Sequence, residues 1–279
     1  MDLVNATASE IVRRSGSNLA FALAVLPKEK RDDMCVFYAF CRVADDLADE
    51  PGLSDEVRRS GLQRWRSLIK GESQDAREGI EAEMVQLQRD RDLDSVELEA
   101  IVDGVEKDLD PETFQTRDDL MRYCYLVASA VGLVSIRLFG CQNEASREYA
   151  EQLGYALQWT NIMRDVGEDA RDGRVFLPLE DLARFGLTES DLLGGSPDPA
   201  CFQRLMKHES MVAREFYDKA VAALPDEDRK SLRSAELMRR IYFRILGTME
   251  SDGYQVFLKR YKLSKPRMIA EFLSAKFFG

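Results

Sequence analysis

Two acidic stretches of the chain constrain its fold more than any other feature. Asp45 and Asp49 lie in the first stretch, CRVADDLADE, and Asp165 and Asp169 lie in the second, NIMRDVGEDARDGR. On an α-helix, two residues that are four apart lie on the same face, one turn from each other. Two such faces turned toward each other would hold several Mg²⁺ ions, which complete their coordination with water and phosphate oxygens. The two stretches therefore predict a helical protein that acts on a diphosphate.

Each stretch taken alone has a simpler interpretation, a solvated helix face with salt bridges. Arg42 would then pair with Asp45 or Asp46, and Arg164 would pair with Glu168. This interpretation explains poorly why two like-charged pairs both follow apolar helical segments. If the four aspartates converge, we expect only Arg42 and Arg164 near them in the folded site, and like-charge repulsion should raise carboxylate pKa values.

The rest of the chain also predicts helices, and we find no convincing alternating strand pattern. One long helix follows Pro27 and ends before Pro51, and Thr116 begins another helix with a capping box. A third long helix, from about Ala145, carries the second aspartate pair. Residues 174–199 are broken by proline and glycine and predict a long irregular segment. The sequence therefore predicts an all-α protein.

Composition excludes several classes of function. The net charge of −11 and the pI near 4.9 argue against binding to nucleic acid. The five cysteines have no zinc-binding spacing, so we interpret them as free thiols in a reducing cytoplasm. His208, the only histidine, excludes a multi-histidine metal site, and we interpret it as a surface residue. The longest uncharged run, residues 123–136, is too short to span a bilayer.

Both ends of the chain raise the question of membrane contact. Arg13 and Arg14 precede an apolar stretch, as in a signal peptide, but Asp2 and Glu10 favour a buried helix. The stretch from Tyr254 onward is basic, and its last helix has an apolar side. That side comprises Met268, Ile269, Phe272, Leu273 and Phe277. We favour packing of this helix on the core, and peripheral contact with an anionic membrane is the alternative.

Three blocks of the chain, taken together, resemble the squalene/phytoene synthase family of head-to-head prenyl transferases. They are the first aspartate stretch, the segment YCYLVASAVGLV from Tyr123, and the segment QWTNIMRDVGEDARDGRVFLPLEDL from Gln158. The resemblance covers nearly the whole chain. It implies a single all-α domain over residues 1–279, a helical bundle of the isoprenoid synthase type with a central cavity.

The resemblance also implies roles for individual residues. The implied Mg²⁺ ligands are Asp45, Asp49, Asn161, Asp165 and Asp169. The residues implied to bind diphosphate are Arg42, Gln158 and Arg164, with Tyr38 and Tyr242 completing the polar lining. Tyr123 is expected near the reacting carbons, where it would handle a proton or stabilise a cation. Either Lys259 or Arg260 is expected to touch phosphate.

The implied reaction joins two identical prenyl diphosphates through a cyclopropyl diphosphate intermediate. Farnesyl diphosphate is the favoured substrate, and the product is squalene, dehydrosqualene or a related compound, with NADPH use left open. The alternatives are phytoene synthesis from geranylgeranyl diphosphate and terpene cyclisation. An inactive helical assembly factor of the same fold is the non-enzymatic alternative. It predicts eroded aspartates, whereas all four are intact.

Overall fold

The computed structural model describes residues 6–15, 23–50, 52–264, 266–268 and 270–272, and this part of the chain contains helices and no strands. The helices are α1 (Ala8–Ser15), α2 (Lys28–Asp49), α3 (Asp55–Ile69), α4 (Ile80–Asp90), α5 (Ser95–Lys107), α6 (Arg117–Cys124), α7 (Ala130–Leu138), α8 (Ala145–Arg171), α9 (Leu179–Arg184), α10 (Glu189–Leu193), α11 (Pro199–Ala223) and α12 (Arg233–Ser251). A π-helical turn (Tyr125–Ser129) joins α6 to α7, and a 3₁₀ turn (Asp226–Asp228) precedes α12. The prediction of an all-α fold is confirmed.

The ends of the long helices follow the local sequence signals. Helix α2 begins directly after Pro27 and ends two residues before Pro51. At the start of α6, the Thr116 hydroxyl accepts a hydrogen bond from the Asp119 amide at 3.2 Å, and the Asp119 carboxylate accepts one from the Thr116 amide at 2.8 Å. This reciprocal pairing satisfies two amides that a helix end leaves without partners.

The prediction of one irregular segment over residues 174–199 was wrong in part, because α9 and α10 lie within it. Pro178 precedes α9, and Thr188 forms a capping box with Asp191 at the start of α10. The threonine signal is the same one that marks the start of α6. Proline and glycine frame these two short helices rather than preventing them.

The apolar helix from Arg117 to Leu138 contacts both helices that carry the aspartate pairs, α8 extensively and α2 through α7. Glycines allow this close packing. A Cβ added to Gly132 would lie 2.9 Å from the Ala150 carbonyl oxygen, and one added to Gly154 would lie 2.5 Å from the Ser129 Cα. Among the described residues this helix alone is long and apolar enough to cross a membrane, a test that the core helix of a soluble protein also passes.

Parts of two predictions lie outside the described residues. The apolar stretch near the N-terminus includes residues 16–22, and the predicted C-terminal helix includes Lys265, Ile269 and residues 273–279. Of the apolar side predicted for that last helix, Met268 and Phe272 are described, and both are half-buried.

Candidate active site

Helix α2 presents the first aspartate pair on a face that also carries other predicted site residues. Tyr38, Arg42, Asp45 and Asp49 follow one another at a spacing of three or four residues, so they share one face of the helix. The Arg42 guanidinium lies 2.5 Å from the Asp46 carboxylate, one of the two salt bridges that the simpler interpretation allowed. Among the described residues, neither Asp45 nor Asp49 has a basic side chain within salt-bridge distance. The first pair therefore remains available to a cation.

Helix α8 presents the second pair in a similar arrangement. Gln158, Asn161, Asp165 and Asp169 lie along one face. Arg164 holds Asp165 through two hydrogen bonds, from Nε at 2.8 Å and from Nη2 at 2.6 Å. The Asn161 side-chain amide donates to the side-chain oxygen Oε1 of Gln158 at 3.3 Å. The Asn161 Oδ1 atom is buried and has no hydrogen-bond partner.

The structure distinguishes between Lys259 and Arg260, one of which was expected to touch phosphate. Arg260 places one guanidinium nitrogen 3.0 Å from the Asp165 carboxylate and another 3.1 Å from Glu168. Lys259 instead pairs with Asp252 at 2.5 Å. Arg260 is therefore the basic residue that reaches the second aspartate stretch, and it takes the Glu168 partner that the simpler interpretation gave to Arg164.

Two residues that the sequence did not single out lie between the aspartate pairs. The Tyr123 hydroxyl donates to the Asp108 carboxylate at 3.0 Å, and Arg174 donates to the Asp108 carbonyl oxygen at 3.3 Å. The charge of Asp108 adds to the rise in the pKa of Asp45. Asp108 follows the last residue of α5 and carries no local motif. Arg174 could have been found from the sequence, because it is the last residue of the second acidic stretch.

Tyr123 lies in an aromatic cluster rather than on an isolated helix face. Its ring centroid lies 5.3 Å from that of Phe114 and 5.6 Å from that of Phe176. These rings, together with Asp108 and Arg174, line a small pocket. Aromatic faces attract cations, by about 2 kcal/mol when the cation is desolvated. The pocket therefore combines such faces with a hydroxyl that is hydrogen-bonded to a carboxylate.

Two of the motif aspartates hold their protons unusually tightly. Burial raises the pKa of Asp45 to about 7, with Arg42 opposing the shift and neighbouring carboxylates adding to it. Asp45 is nevertheless exposed to solvent. Burial also raises the pKa of Asp169 to about 7, with the Asp165 charge adding and Arg174 opposing. The direction agrees with the sequence prediction, but burial is a larger cause than like-charge repulsion.

The prediction that only Arg42 and Arg164 offset the aspartates was wrong. Arg174 also lowers the pKa of Asp169, and Arg260 pairs with Asp165. Both residues lie beyond the second motif helix, so chain folding is needed to bring them back to it.

An apolar cavity of about 270 Å³ extends along α8 from the polar end of the site. Its walls come mainly from the π-turn, α7, α8 and α12. Gln158, Asn161 and Tyr242 are among its polar lining residues, and Arg164 lies near Tyr242. The lining on α8 runs from Tyr149 to Asn161, roughly 18 Å of helix. Small side chains of the helix from Arg117 to Leu138 allow close packing against α8 and also leave room for this cavity.

The interpretation of His208 as a surface residue was wrong. Its side chain is only 19% exposed, and its Nε2 lies 2.7 Å from Arg117 Nη2. Among the described residues, His208, Asp181 and Glu209 form the one compact group of metal-ligand atoms, all within 4.8 Å of one another. Arg117 also contacts Asp181 at 3.1 Å, so its guanidinium already supplies the positive charge there. Burial raises the pKa of Glu209 to about 8.

The residues of the aspartate motifs fit Mg²⁺ better than that compact group does. They offer carboxylate oxygens and an amide oxygen, the ligand types that Mg²⁺ prefers. Asn161 Oδ1 is a buried acceptor without a partner, one turn before Asp165. An unpaired buried acceptor destabilises the fold unless a ligand satisfies it, so this atom supports a binding role. Glu209 Oε1 in the compact group is also unpartnered, but burial favours the protonated form of that carboxyl and Arg117 already contacts Asp181.

Comparison with known proteins identifies the family. The family model described as squalene/phytoene synthase matches residues 12–267, and the chain belongs to this family. The chain is 34% identical over 260 residues to presqualene diphosphate synthase of Rhodopseudomonas palustris, covering 91% of each protein. It is 33% identical over 256 residues to the chloroplastic phytoene synthase 1 of Arabidopsis thaliana, covering 88% of this chain. The chain spans about 60% of the length of that plant relative.

A solved structure extends the similarity to the fold. A dehydrosqualene synthase in complex with a ligand superposes with a TM-score of 0.82 at 26% sequence identity. The superposition covers 97% of this chain and 94% of the other. The predictions of family and of fold type are therefore both confirmed.

Proposed function

We propose that this protein is a prenyltransferase that joins two prenyl diphosphates head to head. One observation carries the proposal: two helices, each with an aspartate pair, contact a helix that lines an apolar cavity, and a buried, unpartnered Asn161 oxygen lies at the polar end. A molecule with a diphosphate head and an apolar tail matches that arrangement. Family membership supports the same reaction class.

The polar end of the site would bind and activate the diphosphates. We propose that Asp45 and Asp49 bind Mg²⁺ on one side, and that Asn161, Asp165 and Asp169 do so on the other. When bound, Mg²⁺ supplies charge neutralisation for the departing diphosphate. The arginines Arg42, Arg164, Arg174 and Arg260 supply further fixed positive charges, suited to phosphate geometry. Gln158, Tyr38 and Tyr242 complete the polar lining in this proposal.

The apolar part of the site would control the carbocation. In the proposed first step, the allylic C–O bond of one molecule breaks and the double bond of the second attacks the freed carbon. Loss of one proton then closes a cyclopropane ring. The rings of Tyr123, Phe114 and Phe176 would stabilise the cation, and the Tyr123–Asp108 pair would accept or return a proton. The cavity walls exclude water, which would otherwise capture the cation.

For the substrate, we propose farnesyl diphosphate, with geranylgeranyl diphosphate as the alternative. Two relatives that this chain covers almost fully support this choice, since they are named presqualene diphosphate synthase and dehydrosqualene synthase. The relatives named phytoene synthase support the alternative. We also propose a cytoplasmic location, which agrees with the presence of five free cysteines.

A product assay tests the proposal. The purified protein would be incubated with Mg²⁺ and either farnesyl or geranylgeranyl diphosphate, with and without NADPH, and the hydrocarbon and diphosphate products identified by mass spectrometry. We expect presqualene diphosphate or a C30 product from farnesyl diphosphate, and slower turnover of the C20 substrate.

The other outcomes distinguish the alternatives. Faster turnover of geranylgeranyl diphosphate to phytoene would reverse the substrate assignment. Cyclic monomeric products would indicate a terpene cyclase. No product from either substrate, in a folded protein that contains Mg²⁺, would favour the inactive assembly factor.

A further inference from the structure

The apolar cavity is closed at the end that lies farthest from the aspartate pairs. Four helices each contribute to this end the cavity residue that is most distant, along the helix, from the predicted site residues. These residues are Met34 on α2, Phe139 at the end of α7, Tyr149 on α8 and Ser234 on α12. All four are buried, with exposed fractions between 0% and 4%. We call these four residues the cavity floor.

Tyr149 is the last residue of the cavity wall that α8 forms. Four lining residues of this helix follow one another at a spacing of four, so they form one ridge along the cavity. From the polar end to the floor they are Asn161, Leu157, Leu153 and Tyr149. A chain that lies along this ridge with its polar head near Asn161 therefore meets the Tyr149 ring at its other end.

A hydrogen-bonded network holds the Tyr149 ring in place. The Tyr149 hydroxyl donates to the Glu236 carboxylate at 2.9 Å, and Arg239 donates to the same carboxylate at 2.7 and 2.9 Å. The ring cannot retract from the cavity without breaking the first of these bonds and leaving a buried hydroxyl unpaired. Met34, by contrast, has a flexible side chain that can repack around a longer ligand. Tyr149 is therefore a fixed stop in the cavity floor.

The length of the ridge matches the shorter of the two candidate prenyl chains. Tyr149 and Asn161 are separated by roughly 18 Å of helix, and the tyrosine ring occupies part of that length. An extended chain advances about 1.2 Å per bond, so a farnesyl chain measures roughly 13 Å and a geranylgeranyl chain roughly 18 Å. The farnesyl chain fits above the ring, whereas the last isoprene unit of the geranylgeranyl chain meets it.

We propose that Tyr149 sets the longest prenyl chain that this cavity accepts. The ring is the stop, and the hydrogen bond to Glu236 keeps the ring in position. This inference rests on the proposed function, since it requires a prenyl chain in the cavity with its diphosphate at the polar end. Tyr149 would contact the far end of that chain and not the reacting carbons, so it acts on substrate choice.

Competition between the two substrates tests the proposal in the whole chain. Equal amounts of farnesyl and geranylgeranyl diphosphate are supplied together with Mg²⁺, and the C30, C35 and C40 products are measured by mass spectrometry. Tyr149→Ala removes the stop, so the ratio of C35 and C40 products to C30 products should rise roughly tenfold or more. Tyr149→Leu leaves more of the packing intact and should raise this ratio about threefold. Because the ratio is taken within one sample, a partial loss of folded protein does not change it.

Two further variants separate the ring from other effects. Tyr149→Phe keeps the ring and loses only the hydroxyl, and its ratio should stay within about twofold of wild type. Tyr217→Leu is the matched control, because Tyr217 is also a buried tyrosine, its hydroxyl is paired with Thr160, and it lies outside the described lining of the cavity. Its ratio should also stay within about twofold. An unchanged ratio in Tyr149→Ala and Tyr149→Leu, or an equal rise in Tyr149→Phe or Tyr217→Leu, would overturn the inference and leave the proposed function standing.

Binding of substrate analogues distinguishes a failure of this inference from a failure of the proposed function. Farnesyl and geranylgeranyl S-thiolodiphosphate are bound to wild type and to the same variants in the presence of Mg²⁺, and the ratio of their two Kd values is compared. Tyr149→Ala should shift this ratio toward the longer chain roughly tenfold, whether or not a product forms. If wild type binds both analogues and makes no product, the proposed reaction fails and the Kd ratio alone decides the inference. No binding of either analogue would overturn both.

Discussion

Replacing Asp169 by asparagine should make the ligand-free protein more stable while removing its activity. The reason is the raised pKa of this carboxyl, about 7 against an ordinary value of 3.8. A carboxyl whose pKa is raised by folding is most stabilising when it is protonated in both states, below pH 3.8. That stability is lost progressively as the pH rises from 3.8 to about 7, because over this range the unfolded chain has released the proton and the folded chain still holds it.

The size of the effect follows from the shift. A difference of about 3 pKa units corresponds to about 4 kcal/mol at pH 8. Asp169 is only half-buried, so solvent screening weakens the effect, and we halve it to about 2 kcal/mol. Asparagine keeps the shape and carries no charge, so the variant should gain about that much. For a domain of this size, the melting temperature should rise by roughly 3 to 4 °C at pH 8. At pH 5, where the native carboxyl is protonated, it should rise by about 1 °C.

Thermal scans of wild type and Asp169→Asn at both pH values, without Mg²⁺, measure this gain. The control is Asp172→Asn, an exposed aspartate directly after α8, which should change the free energy of unfolding by less than about 0.5 kcal/mol. A lower melting temperature of Asp169→Asn at pH 8, or the same gain at pH 5 and pH 8, would refute the argument that this site stores unfavourable charge.

Three further predictions follow from the same contacts. Asp45→Asn should reduce turnover at least a hundredfold with unchanged helical content, as measured by product assay and circular dichroism. Arg260→Ala should raise the KM for prenyl diphosphate about tenfold, because the Arg260 side chain reaches Asp165, whereas Lys259→Ala should change it less than twofold in the same steady-state assay. Glu209→Gln should raise stability in urea at pH 9 by at least 1 kcal/mol more than at pH 6, since burial raises the pKa of Glu209 to about 8 and wild type loses stability as that carboxyl ionises.

The parts of the structure that sequence predicts well are those set by local signals. Helix α2 and the start of α6 lie where proline and the threonine capping box place them. The sharing of one helix face by each aspartate pair follows from spacing alone. Even α10 could have been found, because Thr188 and Asp191 repeat the capping pattern of Thr116 and Asp119.

The parts that sequence predicted poorly depend on distant packing. Asp108 enters the site because α5 ends beside Tyr123, and nothing near Asp108 in the chain indicates that. His208 is half-buried because Asp181 and Arg117 come from other segments to meet it. The choice between Lys259 and Arg260 required the path of the chain after α12. In each case the sequence supplied the residue type, and the tertiary fold supplied its partner.

The most direct test of the central claim is whether Mg²⁺ and diphosphate bind together between the two aspartate motifs. Melting temperatures would be measured with Mg²⁺ alone, with inorganic diphosphate alone, and with both. Ligand at a hundredfold excess over Kd stabilises the folded form by about 2.7 kcal/mol, which is several degrees here. We predict that the joint shift exceeds the sum of the separate shifts, and that Asp49→Asn loses most of this excess. Purely additive shifts in wild type, or an unchanged excess in Asp49→Asn, would contradict a shared metal–diphosphate site.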